Sequence, residues 1–238
     1  MIFGYIFGTI FGLILLIVAF FTICALTVDP KKEYNGYNRF FRRVFLIAVS
    51  IVKKILRIKV HATGMEKLPE GKFLIVANHR STYDPVVNFD VFRQHLIGFI
   101  SKPSNFKIPL LGRMSKQCCF MAIDRENPRN ALKTINRAAD VISADTACMV
   151  VYPEGTRSKT GELLEFHNGV FKIAQKANVP IVVVALQGTE KISKNYIRRT
   201  THVYHDIVDV ISAAEVQKMK TDDIGERVRV IIAEKING

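Results

Sequence analysis

The chain of 238 residues carries 34 Lys and Arg against 21 Asp and Glu, a formal net charge of +13. Its length suits one α/β domain with an appendage, and its excess positive charge predicts an anionic partner: nucleic acid, a membrane surface or a phosphorylated substrate. The four cysteines lack the spacing of a zinc site, so we expect no metal site and interpret them as free thiols in a reducing compartment.

An uncharged apolar segment opens the chain. From Ile2 to Val28 there is no Asp, Glu, Lys or Arg, and about 20 apolar residues are enough for a helix to cross a bilayer. The segment lacks a basic leader and a small-residue cleavage site, so a cleaved signal peptide is not expected. Basic residues follow it, and the positive-inside rule then places the rest of the chain in the cytoplasm.

Residues 34–58 predict a second helix, because apolar residues recur there at intervals of three and four. Its apolar centre, Val44 to Val52, has about nine residues and is too short to span a bilayer. Its basic ends favour a helix lying in, or dipping into, the cytoplasmic interface. A helix packed against the following domain is the alternative. We predict a membrane-associated helical module over 1–58 and a second domain over 59–238.

Strand and helix patterns alternate after Arg57. This alternation predicts an α/β fold with a mixed, mostly parallel sheet of about seven strands, flanked by helices. Asn127-Pro128 is a typical helix start, with Asn as the N-cap and Pro at the first helical position. The predicted helices are 86–94, 105–115, 128–143, 168–177 and 222–236. The predicted strands are 57–62, 73–77, 96–101, 117–122, 147–152, 180–186 and 202–210.

Two side chains with acid–base chemistry, His79 and Asp84, lie on the loop between the strand at 73–77 and the next helix. Open α/β sheets bind ligands at the carboxyl ends of their strands. The carboxylate could accept a hydrogen bond from one imidazole nitrogen and leave the other nitrogen free as a base, a role suited to an ordinary imidazole pKa of about 6.5. On this stretch alone, Asp84 as a simple helix cap remains an equal alternative.

A second segment runs from an apolar strand into a polar turn, Tyr152-Pro153-Glu154-Gly155-Thr156-Arg157-Ser158. Together with Asn78-His79-Arg80-Ser81-Thr82-Tyr83-Asp84-Pro85, in this order and spacing, it resembles the glycerolipid acyltransferase family. The nearest members are the 1-acylglycerol-3-phosphate (lysophosphatidate) acyltransferases, and the resemblance covers roughly residues 60–190. It implies transfer of a fatty acyl group from an acyl thioester to the sn-2 hydroxyl of 1-acylglycerol 3-phosphate, giving phosphatidic acid in phospholipid biosynthesis.

The resemblance also implies roles for individual residues. His79 would be the general base, and Asp84 would orient it. Lys102, Arg125 and Arg157 would hold the acceptor's phosphate by charge-assisted hydrogen bonds, each contributing about 1.5–3 kcal/mol. Glu154 would order Arg157 or contact a hydroxyl, and Gly155 would permit a close approach. The expected substrate-binding residues are Lys102, Arg125, Glu154, Gly155, Thr156 and Arg157.

Several functional points stay open at this stage. The donor is acyl carrier protein or coenzyme A as a thioester co-substrate, and no other cofactor is expected. Glycerol 3-phosphate or another lysophospholipid is an alternative acceptor. A non-catalytic protein that binds anionic membranes is the alternative from a different class. Nucleic acid is not an expected partner, because no binding motif for it appears. Relatives often carry a basic residue before Gly169, where this chain has His167-Asn168, so the role of His167 is open.

Overall fold

A seven-stranded sheet organises the part of the chain that the structure, a computed structural model, describes: residues 2–158 and 160–237. In spatial order the strands run β1-β7-β6-β2-β5-β3-β4. All neighbouring pairs are parallel except β6 with β7. The predicted α/β fold with a mixed, mostly parallel sheet is therefore confirmed. The strands are β1 Ile58–Thr63, β2 Leu74–Ala77, β3 Ile97–Ser101, β4 Met121–Ala122, β5 Cys148–Val151, β6 Ile181–Gln187 and β7 Thr201–Ile211.

Helices cover both faces of this sheet. One core contains the inward faces of α2 and α3, and the other contains those of α5, α6 and α9. The central strand β2 is fully buried, as is usual for parallel strands covered on both faces. The α-helices are α1 Ile2–Leu26, α2 Arg39–Ile55, α3 Asp84–Val91, α4 Leu111–Ser115, α5 Pro128–Ser143, α6 Lys172–Ala177, α7 Ile192–Asn195, α8 Ala213–Lys218 and α9 Thr221–Asn237.

Local sequence signals account for where the helices begin and break. Helix α5 has the predicted bounds, and the side chain of Asn127 caps it by accepting from the backbone N–H groups of Arg129 and Asn130. The helix predicted at 105–115 is instead a 3₁₀ helix, Pro103–Lys107, followed by α4. Leu110 separates the two with a φ of +61°, which no helix accommodates. The short helices α7 and α8 were not predicted.

Helix α2 has two apolar faces. Phe41, Val44, Phe45 and Val49 are buried in the same core as the central strands. Beside this buried face, an exposed apolar stripe consists of Phe40, Ile47, Ile51 and Ile55. The packed face agrees with the alternative of a helix lying on the following domain, and the exposed stripe leaves an apolar surface for the bilayer. The division of the chain near residue 58 stays a prediction.

Helix α1 is the only helix among the described residues that is long and apolar enough to cross a membrane, over Tyr5–Leu26. Most of its side chains are exposed. Its last turn is not: Cys24, Ala25 and the following Val28 are buried in the α2 core. Phe21 lines an apolar cavity with residues of α2 and α4. One end of this apolar helix is therefore packed against the sheet domain, and the rest has no covering in the described residues.

The parallel strands β2 to β6 end at one edge of the sheet, which we call the carboxyl edge. The loops after β2, β3, β4 and β5 carry His79, Lys102, Arg125 and Glu154 respectively. Strand β7 runs in the opposite direction, so it begins at this edge, and so does its parallel neighbour β1. The topology thus gathers the predicted site residues on one side.

Asn78 fixes the end of β2 at this edge. Its buried side chain donates to the Leu186 carbonyl at 3.0 Å and accepts from the Leu186 N–H at 2.7 Å. The side chain thereby extends the pairing of β2 with β6 by one position, immediately before His79. The direction in which the His79 loop leaves the sheet depends on these two bonds.

Replacing Asn78 by Ala is expected to destabilise the protein by about 2–4 kcal/mol, because two buried backbone groups of Leu186 lose their partners. For a chain of this size that loss corresponds to a fall in melting temperature of roughly 5–15 °C. Asn130→Ala is the matched control, since Asn130 makes an exposed hydrogen bond on α5. Thermal unfolding of the detergent-solubilised protein measures both, and equal melting temperatures would contradict the structural role of Asn78.

Candidate active site

The Asp84 carboxylate gathers three donors from the loop that precedes it. Its Oδ2 atom accepts from His79 Nδ1 at 2.7 Å, Arg80 N at 2.7 Å and Ser81 N at 2.8 Å. Asp84 is the first residue of α3 and is completely buried, and Tyr83 occupies the N-cap position expected for Asp84. The carboxylate therefore binds the preceding loop rather than capping its own helix, and it fixes the orientation of the imidazole.

The hydrogen bond with Asp84 determines which nitrogen of His79 is available. An ionised carboxylate only accepts hydrogen bonds, so Nδ1 carries the proton and Nε2 has a free lone pair. Nε2 makes no hydrogen bond within residues 2–158 and 160–237. The His79 side chain is 19% exposed. His79 can thus take a proton from a molecule bound at the carboxyl edge, while Asp84 stabilises the resulting imidazolium.

Tyr152 forms one wall of the His79 position, and sequence analysis gave it no role. Its ring stacks on the imidazole with centroids 4.4 Å apart and planes 20° apart. Tyr152 is buried, and this burial raises the pKa of its phenol well above the ordinary value, so the ring stays neutral. Placed at the end of β5, it closes one face of the imidazole against water.

Two buried polar side chains, Asn88 and His205, hold the Tyr152 hydroxyl through a series of hydrogen bonds. Asn88 Nδ2 donates to the Tyr152 hydroxyl at 2.9 Å, and His205 Nε2 lies 3.1 Å from Asn88 Oδ1. Burial lowers the pKa of His205 to about 4, so His205 is neutral near pH 7 and donates to the amide oxygen. The signal for Asn88 is its position four residues after Asp84, on the same face of α3. No sequence signal indicates His205, because its contact spans 117 residues.

Glu154 joins two loops through their backbones. The side chain is buried; Oε1 accepts from His79 N at 2.6 Å and Oε2 from Leu164 N at 3.0 Å. Both oxygens are therefore used inside the protein, whereas the sequence suggested a contact with Arg157 or a hydroxyl. Burial raises the pKa of Glu154. A second link, Ser158 N to His79 O at 2.9 Å, ties the same loops together.

Gly155 and Arg125 connect the ends of β5 and β4. Arg125 Nη1 donates to the Gly155 carbonyl, and Gly155 has a φ of +67°. A side chain at position 155 would collide with the Arg125 guanidinium and with the ring of His167. Glycine is thus required on both conformational and steric grounds. Burial lowers the pKa of Arg125, although a guanidinium remains charged at neutral pH.

The remaining predicted residues, Lys102, Thr156 and Arg157, are exposed at the carboxyl edge. Lys102 directly follows β3 and precedes the 3₁₀ helix Pro103–Lys107. The pairing of Ser101 with Ala122 places the end of β3 beside the end of β4, and so brings the Lys102 and Arg125 loops side by side. The side chains of Lys102 and Arg157 make no hydrogen bond or ion pair with the described residues, so their charges face solvent at the same edge as His79.

The α/β sheet thus carries at its carboxyl edge a histidine that a buried carboxylate orients, and exposed cations lie at the same edge. The sequence model of the Acyltransferase family matches residues 59–187, a segment that contains all of these residues. The chain belongs to the acyltransferase family.

Individual relatives agree with this assignment. The chain is 32% identical over 181 residues to a chloroplastic 1-acyl-sn-glycerol-3-phosphate acyltransferase of Brassica napus, covering 75% of this chain and 51% of that one. It is 29% identical over 184 residues to the 1-acyl-sn-glycerol-3-phosphate acyltransferase of Saccharomyces cerevisiae, covering 75% of this chain and 60% of that one. The chain therefore spans only about half to three fifths of these relatives' length.

A solved structure shares the fold. The crystal structure of the 1-acyl-sn-glycerophosphate (LPA) acyltransferase PlsC from Thermotoga maritima superposes with a TM-score of 0.65 at 22% identity. The match covers 82% of this chain and 80% of that one. The sheet and its flanking helices are thus an arrangement already seen in an acyltransferase.

Glu154→Gln is expected to impair the site without adding or removing volume. A carboxamide has one accepting oxygen, so either the His79 N–H or the Leu164 N–H would face an NH₂ group, at a cost of about 1–3 kcal/mol. Melting temperature and acyl-transfer rate should fall together. Glu165→Gln is the matched control, because Glu165 is exposed in the same segment. Unchanged stability and rate in Glu154→Gln would show that the two loops are held by other contacts.

Proposed function

We propose that the protein transfers a fatty acyl group from a thioester to the sn-2 hydroxyl of 1-acylglycerol 3-phosphate, forming phosphatidic acid. The observation that carries this proposal is the 2.7 Å bond between His79 Nδ1 and the buried Asp84 carboxylate, which leaves Nε2 as a base at the surface. The relatives indicate the acceptor: the Brassica napus and Saccharomyces cerevisiae proteins are both 1-acyl-sn-glycerol-3-phosphate acyltransferases.

In the proposed reaction His79 Nε2 accepts the proton of the acceptor hydroxyl as its oxygen attacks the thioester carbonyl. The new C–O bond forms, the C–S bond breaks, and the imidazolium returns its proton to the departing thiolate. The negative Asp84 carboxylate stabilises the imidazolium between these two transfers. No nucleophilic side chain is needed, because the acceptor itself supplies the oxygen.

The acceptor's phosphate is assigned to the cations at the carboxyl edge. Lys102 and Arg157 are exposed and have their charges available, and a guanidinium suits the geometry of a phosphate. Arg125 uses one nitrogen on the Gly155 carbonyl, so it would offer its remaining N–H groups while holding the turn in place. Thr156 directly precedes Arg157, is exposed, and would contact the same headgroup.

The lipid acceptor explains the apolar N-terminus in this proposal. Helix α1 would anchor the protein in a membrane, with the sheet domain on the cytoplasmic face, in keeping with the basic residues after the helix. The acceptor's acyl chain lies in the bilayer and its hydroxyl at the interface, so the carboxyl edge must stand at headgroup depth. The donor is acyl carrier protein or coenzyme A as a thioester, without a further cofactor.

Removing the base tests the proposal directly. His79→Ala should lower the rate of radiolabelled acyl transfer to lysophosphatidate by about 10²–10⁴, the usual contribution of a general base. Asp84→Asn should be similarly inactive yet folded, because its amide oxygen can still accept from the three loop donors while the charge is lost. His61→Ala, an exposed histidine on β1, is the control. A wild-type protein without transfer activity would favour the non-catalytic membrane-binding alternative.

The phosphate assignment predicts a selective effect on the Michaelis constants. Lys102→Ala and Arg157→Ala should each raise KM for the phosphorylated acceptor roughly tenfold to 100-fold, as expected from losing about 1.5–3 kcal/mol of charge-assisted bonding. KM for the thioester donor should stay near the wild-type value. Lys107→Ala is the matched control, since Lys107 is exposed in the same segment as Lys102. An equal rise for both substrates would move the phosphate site elsewhere.

A further inference from the structure

The loop between β6 and β7, residues 188–200, exposes an apolar pair at its tip. Tyr196 is 55% and Ile197 is 53% exposed. Four basic side chains, all exposed, flank this pair. The one acidic residue of the loop, Glu190, lies 3.7 Å from the Arg80 guanidinium. The tip therefore presents an aromatic and an aliphatic side chain inside a cluster of cations: Lys191, Lys194, Arg198 and Arg199.

The loop is held in shape although its tip is exposed. Ile192 is fully buried beneath it, and Tyr196 N donates to the Ile192 carbonyl at 2.8 Å. Asn195 Nδ2 donates to Thr201 Oγ1 at 2.9 Å and closes the base of the loop. Tyr196 itself has a φ of +44°, which is uncommon for an aromatic residue. The fold thus holds these apolar side chains outward rather than burying them.

The loop lies at the carboxyl edge, next to the C-terminus of α2 and the segment that holds His79. Strand β6 ends there and β7 begins there. Thr201 N donates to the Arg57 carbonyl at 3.1 Å, so the loop ends beside the C-terminus of α2. The last turn of α2 carries the exposed Lys54, whereas Lys53 pairs with Asp90, and Ile55 belongs to the exposed apolar stripe of the helix. Through Glu190 and Arg80, the loop also contacts the segment that holds His79.

We infer that the 188–200 loop is a second membrane contact, in which Tyr196 and Ile197 enter the headgroup layer of an anionic bilayer. Tyrosine suits the boundary between lipid and water because its ring is apolar and its hydroxyl is polar. Lysine and arginine beside it attract anionic headgroups. An acidic protein would pair with the cations but would give no reason for the outward apolar pair. The inference rests on the membrane location proposed above.

A second membrane contact would restrict the orientation of the sheet domain relative to the bilayer. Helix α1 alone is a single attachment, about which the sheet domain could rotate. The 188–200 loop, together with Ile55 at the C-terminal end of the α2 stripe, adds contacts at the edge that carries His79. Together they would hold the carboxyl edge against the bilayer surface, so that the base meets acceptor hydroxyls at a constant depth.

The chain has no tryptophan, so Tyr196→Trp creates a unique fluorescent reporter. The full-length variant is reconstituted in phosphatidylcholine vesicles with and without about one third phosphatidylglycerol, using plain or brominated acyl chains. In the anionic vesicles we expect a blue-shifted emission and at least twofold quenching by brominated lipid. Tyr204→Trp is the matched control: Tyr204 is 48% exposed within β7, and its emission should not respond to bromination. Ile197→Trp repeats the test at the neighbouring position.

The charge component has its own test. Replacing Lys194, Arg198 and Arg199 by Gln in the Tyr196→Trp background should reduce quenching in anionic vesicles to the level seen in phosphatidylcholine alone. Water-like emission of both tip reporters in every vesicle would overturn the inference. So would equal quenching with and without anionic lipid, or an emission shift caused by an acidic carrier protein but not by vesicles. Fluorescence needs no turnover, so a protein inactive in acyl transfer would count against the proposed function only.

Discussion

The Asp84 carboxylate is the interaction on which the site depends, because three loop donors meet at one of its oxygens. A carboxylate buried at the start of a helix is costly unless its charge is compensated. Here the loop N–H groups and the imidazole N–H provide that compensation, and the loop gains its shape in return. The hydrogen bonds that give the loop before Asp84 its shape therefore also orient the imidazole of His79. Tyr152 and Glu154 then confine the imidazole and its backbone from the β5 side.

A second buried carboxylate, that of Glu154, accepts hydrogen bonds from two loops and joins them. Glu154 divides its oxygens between His79 N and Leu164 N, so the β2 and β5 loops cannot separate without exposing unpaired donors. Arg125 does the same for the β4 and β5 loops by donating to the Gly155 carbonyl. The polar groups closest to the base are thus engaged in holding the loops. In the proposed function the substrate phosphate would be bound by the exposed Lys102 and Arg157, with Arg125 offering its remaining N–H groups.

Local patterns in the sequence were sufficient for the sheet, for most helices and for the pairing of His79 with Asp84. Apolar runs, Asn-Pro starts and a five-residue spacing are all short-range signals, which is why α5 has the predicted bounds. The backbone role of Glu154, the stacking of Tyr152 and the contact of Asn88 with His205 depend on residues 64 to 117 positions apart. Such contacts follow from the spatial order of the strands, which no local pattern specifies. The break at Leu110 has one local signal, since Pro109 lies inside the helix predicted over 105–115 and a proline interrupts a helix interior. The positive φ of Leu110 has no such signal, because leucine rarely adopts it.

The reversed strand β7 has a consequence for biosynthesis. Within the described residues β1 pairs with β7 alone, and the partners Ile58 and Thr201 are 143 positions apart. Synthesis adds about 5–20 residues per second. The N-terminal helix and β1 therefore leave the ribosome long before β7 has been made. During that interval of roughly 7–30 seconds, β1 has no partner strand. The first strand of the chain is therefore among the last to be paired, and a nascent chain released before residue 201 would carry both N-terminal helices without a completed sheet behind them.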